Sequence, residues 1–476
     1  MPEREPRPHQ QGLRESPGRT RAVSDTTTEG SRIISALLPR GAGHQFVVYG
    51  DACSGIPGAP HEQTFAEVSA VVRRLAPAPE FIIFPGDEIS GLTPDEDQLR
   101  AQWRYWIDHE TRWLDRRAIP MWHSTANHTT YDEMSERVFR DVLAMPKNGP
   151  PGQEGLTYWV RRGDLLLIFV HTLWTGLGGE GFVETKWLDE VLGAHADATH
   201  KIVVGHHPAF PVNGFSGPYQ RDIDPDTTTA FWDTLVKHGV RAYICSHILA
   251  FDIQAHRGVL QICSAGAGTA HRMPEGIEYL HCVQMALDAQ ALRYQVLDVT
   301  GWIKEALDWP FDGWQLTRQM QLPHGAFRAP LLFPEQHLLM ELQFTGTTAD
   351  DSRAQTLLCT CRDGELAPIW IGLRGAQQRL TVIVQHATGR SPHYWIGPAL
   401  GRGTHFDIRL LLHADMGPGG FMCRMPGDTG WTSMSTASSW GLERLKPSMD
   451  WLVGRSADGV DDRPFRGASL EASLRW

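Results

Sequence analysis

The stretch FIIFPGDEIS, residues 81–90, runs from four apolar residues through Pro85 and Gly86 straight into two carboxylates, Asp87 and Glu88. Strands covered on both faces in an alternating α/β sheet read as continuous apolar runs, and ligands sit in the crevice at their carboxyl ends. A strand over 81–85 therefore places Asp87 on the rim of such a crevice. For one such segment alone, an Asx-type turn is the simpler reading. What decides between the two is whether other strands end in the same way.

Working outward, strand-like runs occur at QFVVYG (45–50), PMWHS (120–124), LLLIFVH (165–171), KIVVG (201–205) and RAYIC (241–245). Between them EQTFAEVSAVVRRLA, ETKWLDEVLGAH and TTTAFWDTLVKHG carry apolar residues at three- and four-residue spacings, as amphipathic cover helices do. This βαβ pattern predicts an α/β unit over 31–300. A Trp- and Pro-rich connector over 301–330 follows. Beyond it HLLMELQF, QRLTVIVQHA, FDIRLLLHAD and SLEASLRW are strand-like runs between Gly, Pro and Asp turns, which predicts an all-β jelly-roll sandwich over 331–476. Residues 1–30 hold no apolar run and are rich in Pro, Arg, Glu and Ser, so they are expected to form a disordered tail and not a signal or anchor.

Composition narrows the function. A chain of 476 residues calls for more than one core, and a net charge of -11 does not favour a sequence-independent grip on nucleic acid. No stretch approaches the roughly 18 apolar residues of a membrane span. Seven scattered cysteines, an odd number, suit reduced thiols. The expectation is a cytoplasmic protein acting on a small molecule, with no nucleic-acid or membrane partner.

Strand after strand ends on a metal-ligand type. The first ends Gly50-Asp51-Ala52-Cys53, the second Gly86-Asp87, the third Ala126-Asn127-His128, the next Gly205-His206-His207-Pro208, and the last Cys245-Ser246-His247. Each has a bland explanation singly, as a cap, a turn or a core histidine. Five at the same end of successive strands point to a metal site. Carboxylate, carboxamide and imidazole together suit Fe, Zn or Mn, with one or two ions per chain.

The order of these blocks resembles the calcineurin-like metallophosphoesterases, the superfamily that includes purple acid phosphatases. LTYWVRRGDLLLIFVHT, KWLDEVL before GHHP, and QICSAGAGTAH after the last histidine fall where that family has them. The resemblance implies a four-layer core of central β-sheets covered by helices. It also implies two metals bridged by Asp87 and a hydroxide, with Asn127, His206 and His247 on the second metal and Asp51 on the first. His128 corresponds to the histidine beside the leaving group, and Asp87 and His128 are the implied catalytic pair. Two departures fall on the first metal: Cys53 stands where the family has histidine, and Leu249 where it has the last histidine of its final block. In addition, Ser90 replaces the tyrosine of purple acid phosphatases. Cys53 is either a thiolate ligand, as in some members of the alkaline phosphatase D branch, or a small buried filler. A replacement ligand from Asp252 or His271, or a single-metal site, are the other outcomes.

His207 and Glu88 are expected near substrate, with His61, His123, Tyr131 and His171 as more distant candidates. The second half resembles concanavalin A-like or laminin G-like domains through DMGPGG (415–420), WGLERL and DWLVGRSADG (450–459). Its Asp415, Asp458, Asp461 and Asp462 are better read as turn residues than as calcium ligands. The leading functional expectation is a metal-dependent phosphoesterase acting on a small phosphoester through a metal-bound hydroxide, with a degenerate first metal position. The alternatives are a recruited metalloenzyme performing a lyase or redox step, and a non-catalytic ligand-binding module.

Overall fold

A computed structural model describes residues 33–174, 179–215, 222–269, 278–328, 339–361, 369–385, 391–441, 450–455 and 463–476. The six strand-like runs of the first half all form strands: β1 (Gly43–Val48), β2 (Ile82–Phe84), β3 (Met121–His123), and then, after β4 (Tyr158–Arg162), β5 (Leu165–Phe169), β6 (His200–Val204) and β7 (Ala242–Cys245). Strands β8 (Phe251–His256), β9 (Val259–Ser264), β10 (His281–Asp288), β11 (Ala291–Asp298) and β12 (Ile303–Pro310) complete two six-stranded sheets. Their orders are β12-β11-β10-β1-β2-β3 and β8-β9-β7-β6-β5-β4.

The strands that alternate with helices pair in parallel, and so do β7 and β9 across the intervening β8. β1 pairs in parallel with β2, and β2 with β3; β5, β6 and β7 are likewise parallel. The pairs β10/β11 and β11/β12 are antiparallel. The sequence reading carried the βαβ pattern to residue 300, whereas among the described residues no helix separates β8 from β12. The sheet also runs on to Pro310, into the stretch read as connector.

The continuous apolar runs are explained by burial on both faces. From FIIF, Phe81 and Ile83 enter the core between the sheets, while Ile82 and Phe84 enter the layer beneath the helices. Phe46 and Val48 alternate with Val47 and Tyr49 in the same way, as do Leu165, Leu167 and Phe169 with Leu166 and Ile168. Helices α1 (Pro60–Arg73), α2 (Glu96–Tyr105) and α3 (Glu133–Leu143) cover the first sheet, and α4 (Thr185–Ala194) and α5 (Pro225–Lys237) the second. The result is the expected four-layer core. α2 and α3 start on side-chain caps: Asp95 accepts from the N–H groups of Asp97 and Gln98, and Asp132 forms a capping box with Ser135.

The second half forms antiparallel sheets of six and seven strands around its own apolar core, which includes Leu342, Phe344, Ile371, Val382, Trp395, Ile408 and Leu410. The outer face of the six-stranded sheet joins the first unit, since Leu411, Met416 and Met422 belong to the core between the first unit's own sheets. Main-chain bonds stitch the same seam. Ala255 and Arg257 donate to the hydroxyls of Ser433 and Thr432 at 3.0 Å each, and Gly258 donates to Trp431 O at 3.0 Å. The edge strand β8 is thereby covered. Among the described residues, no helix is long and apolar enough to cross a membrane.

The loop after β2 meets the loop after β3 closely enough to require a glycine. Gly91 has φ +52°, and a Cβ there would collide with the His128 carbonyl. Gly58 has φ +75° but open space around it, so the two isolate the collision from the backbone preference. Gly58→Ala is expected to cost about 1 kcal/mol, and Gly91→Ala about 2 kcal/mol more. Urea unfolding of the two variants checks this; equal losses would refute the close approach.

Candidate metal centre

The loops leaving β1 and β2 continue the parallel ladder past the strand ends. Asp51 N–H donates to Gly86 O at 3.1 Å, Cys53 N–H to Asp87 O at 2.8 Å, and Ser54 N–H to Glu88 O at 3.0 Å. Three candidate ligands on these loops sit in the left-handed region: Asp51 (φ 62°), Cys53 (φ 43°) and Asp87 (φ 58°). His247, after β7, has φ 67°. Non-glycine residues in this region are uncommon and gather where function holds them. These four are among nine such residues described in the chain, so the strain is concentrated on this rim.

Asn127, His206 and His247 converge on one point. Asn127 Oδ1 lies 2.9 Å from His206 Nε2 and 3.0 Å from His247 Nδ1, and the two ring nitrogens are 3.2 Å apart. Asp87 Oδ2 is 3.4 Å from His206 Nε2. His206 Nδ1 donates to Pro85 O at 2.9 Å. A carbonyl can only accept, so this bond leaves Nε2 of the neutral ring as a lone pair facing the cluster. Gly86 (φ +108°) makes room for that ring, since a Cβ there would press on His206 Nδ1 and Ala126.

Charge reinforces the geometry. Burial opposes a charge on His206, yet the carboxylates of Asp87 and Asp51 prevail and push it up to about 9. Burial also works against ionisation of Asp87, but His206 and His128 hold its carboxyl well below the usual range. The cluster therefore favours positive charge at its centre. A cation supplies that charge, and a set of one carboxylate, one carboxamide and imidazoles fits Zn, Mn or Fe. The residues present fit the expected metal.

The remaining predicted residues divide clearly. His207, expected near substrate, is fully buried with Nδ1 2.7 Å from Thr172 Oγ1, and its ring lies 4.4 Å from that of His247. It groups with His206 and His247 as a possible ligand set. Glu88, also expected near substrate, is fully buried with Oε1 2.8 Å from His123 Nδ1, so it supports the loop from behind and does not reach solvent. Burial pushes its carboxyl well up. Asp51 accepts from Ser246 Oγ and from His247 N–H at 3.1 Å, and Thr269 Oγ1 and N–H both bond its carbonyl. Burial, then the charge of Asp87, pushes Asp51 up to about 6.

Cys53 lies on the first-metal side. Its Sγ, a carboxylate oxygen of Asp87 and a ring nitrogen of His128 lie within 4.8 Å of one another. Burial, followed by the carboxylates of Asp87 and Asp51, raises the Cys53 thiol well above its ordinary value. Asp252 is not a replacement ligand, because Asn213 and Gln254 occupy its carboxylate oxygens. His271 lies outside the described residues, as do Asp458, Asp461 and Asp462. None of the possible ligand groups among the described residues includes Asp415. His61 bonds the Cys53 carbonyl at 3.0 Å, and His171 pairs with Thr125 Oγ1 at 2.7 Å.

His128 faces a second feature. Its N–H donates to Asp87 Oδ1 at 3.1 Å, its Nδ1 to Ser90 O at 2.7 Å, and its Nε2 stands 4.0 Å from Asp87 Oδ2. Beside it opens a cavity of about 220 Å³ that Leu92 and Tyr131 help line. Ser246, Thr269 and Leu92 were not singled out from sequence. Single Ser, Thr and Leu residues carry no ligand signal, and only the backbone shows what they hold.

Residues 44–251 match the family model described as calcineurin-like phosphoesterase. Similar solved structures include the anchor in the inner membrane complex of Plasmodium, 14% identical over 56% of this chain and 88% of that one, with a TM-score of 0.38. A purple acid phosphatase from yellow lupin (Lupinus luteus) seeds is 12% identical over 57% of this chain and 55% of that one, TM-score 0.41. The CBM40 module of a Ruminococcus gnavus IT-sialidase, bound to α2,6 sialyllactose, is 13% identical over 34% of this chain and 93% of that one, TM-score 0.24. No curated protein matches the chain.

Replacing His206 by Ala removes a fully buried imidazole whose Nε2 faces Asn127, His247 and Asp87. The variant, loaded with zinc and desalted, is expected to retain less than about a tenth of the wild-type metal, since losing one of four ligands costs several kcal/mol of binding. Plasma mass spectrometry reads the ratio, and full retention contradicts the assignment.

Proposed function

Because residues 44–251 match the calcineurin-like phosphoesterase family model, we propose that the chain is a hydrolase of small phosphoesters, with its working cation held by Asn127, His206, His247 and Asp87. The convergence of Asn127 Oδ1, His206 Nε2 and His247 Nδ1 within 3.2 Å, beside the ionised Asp87, carries this reading. When bound, the cation supplies an activated water at neutral pH and positive charge for the phosphoryl oxygens.

The chain's own groups do the rest. Asn127 contributes an oxygen without cancelling the cation's charge. Asp87 does contribute charge, and the His128 N–H fixes its orientation. His128, held by Ser90 O through Nδ1, is oriented so that Nε2 can hand a proton to the leaving oxygen. The buried walls formed by Gly86, Ala126 and Pro85 keep bulk water away from the back of the cluster.

A second reading has its own observation. On the first-metal side, Leu249 supplies no ligand, and Asp51 is already engaged by Ser246 and His247. A one-cation site offers less charge to a transferring phosphoryl group, which favours a recruited metalloenzyme or a ligand-binding module of the same fold.

The protein stripped of metal and reloaded separately with Zn, Mn and Fe separates the readings. Hydrolysis of phosphomonoesters or phosphodiesters is expected with at least one metal and is lost on chelation. His128→Asn is expected to lower kcat by about 10²–10⁴ with metal content unchanged. Metal binding at full stoichiometry without turnover of any phosphoester would transfer the case to the second reading.

A further inference from the structure

We propose that the cavity beside His128 receives the leaving-group alcohol of the substrate, and that this alcohol is apolar, uncharged and about the size of one substituted ring. The inference rests on the phosphoesterase reading and names the substrate class for it. Position is the first support. The cavity shares His128 with the metal centre, and its other walls come from Leu92, Thr93, Pro94, Leu99 and Tyr131. Leu92 N–H donates to His128 O at 3.3 Å, so the wall and the histidine are tied together. With a phosphoryl group at the cation and its ester oxygen near His128, the cavity that shares His128 is the space open to the alcohol.

Strain and exposure are the second support. Leu92 adopts φ 46°, a conformation that leucine seldom takes, and is 55% exposed. A leucine held in left-handed backbone with its side chain in water gains nothing for the fold, and such outliers persist where function over-determines them. It is not alone on this rim. Tyr131, also exposed, lines the same cavity, and Ile56 is exposed in the loop that leaves β1.

Charge and volume fix the class. No lysine or arginine lines the cavity. Its one carboxylate, Asp132, accepts from Ser135 as the cap of α3 and repels a second anionic group. Sugar bisphosphates and nucleoside polyphosphates find no partner there. Cavities of about 150 Å³ accommodate benzene, and sites for drug-sized ligands start near 300 Å³. A space of about 220 Å³ suits a ring with a small substituent or a branched alkyl group. In the reaction the oxygen of water forms the new bond to phosphorus and the bond from phosphorus to the alcohol oxygen breaks. That oxygen takes its proton from His128, which is restored from the attacking water.

The test uses the full metal-loaded chain. Phosphate esters of 4-tert-butylphenol, of a carboxyphenol and of glycerol are compared in wild type, Leu92→Asp, Tyr131→Ala and the remote control Trp302→Ala. Aspartate tolerates left-handed backbone better than leucine, so Leu92→Asp is expected to fold. The tert-butylphenyl ester is expected to have the lowest KM, raised about tenfold by Leu92→Asp and by Tyr131→Ala with kcat little changed, and unmoved by Trp302→Ala. Free 4-tert-butylphenol, followed by ligand-observed NMR, is expected to bind wild type and to lose binding in Leu92→Asp. Equal efficiency on charged and apolar esters, or an unchanged KM in both cavity variants, overturns the inference. Phenol binding that depends on Leu92, with no turnover of any ester, overturns the hydrolase reading alone and upholds the ligand class.

Discussion

A carboxylate buried at the end of a buried strand must be surrounded by positive charge, and the rim of this fold is organised to meet that requirement for Asp87. Burial alone would neutralise it. Instead His206 and His128 hold it ionised, and its backbone is locked by the ladder that continues from β1 and β2. Each neighbour is then constrained in turn. His206 must present Nε2, so Nδ1 is tied to Pro85 O; the ring needs space, so residue 86 is glycine. His128 donates its N–H to Asp87, so the loop carrying it must pass close to Gly91. The chemistry of one side chain thus dictates the path of three loops.

Much of this was legible in the sequence because parallel strands covered on both faces leave an unmistakable mark. FIIF and LLLIF have no polar face, and the residues after them sit by construction at one edge of the sheet. Asp51, Asp87, Asn127, His206 and His247 could be placed together for that reason alone. What was not legible is equally physical. The pairs β8/β9, β10/β11 and β11/β12 are antiparallel, and the β8 edge is completed by another unit, so the change in grammar near residue 251 left no periodic signal to announce it. Glu88 and His207 sit one residue from ligands. A one-residue step in a loop with left-handed backbone reverses direction unpredictably, and so Glu88 went inward to His123 and His207 joined the imidazoles.

On the side that the resemblance assigns to the first metal, the side chains present differ from the family pattern. Ser246 occupies the glycine position of the family's final block, and its hydroxyl reaches Asp51. The carboxylate that the resemblance assigns to a metal has thereby gained protein partners. Cys53 and His128 remain near Asp87 as the donors on that side. Burial, with the carboxylates of Asp87 and Asp51, disfavours the Cys53 thiolate.

The covered edge of β8 has a consequence for how the two halves depend on each other. Its outward main-chain groups at Ala255, Arg257 and Gly258 are satisfied only by residues 431–433, nearly two hundred positions later in the chain. An exposed strand edge of this kind is a template for pairing with other chains. The sandwich thus closes an edge of the first half that would otherwise stand open to pairing with a second chain.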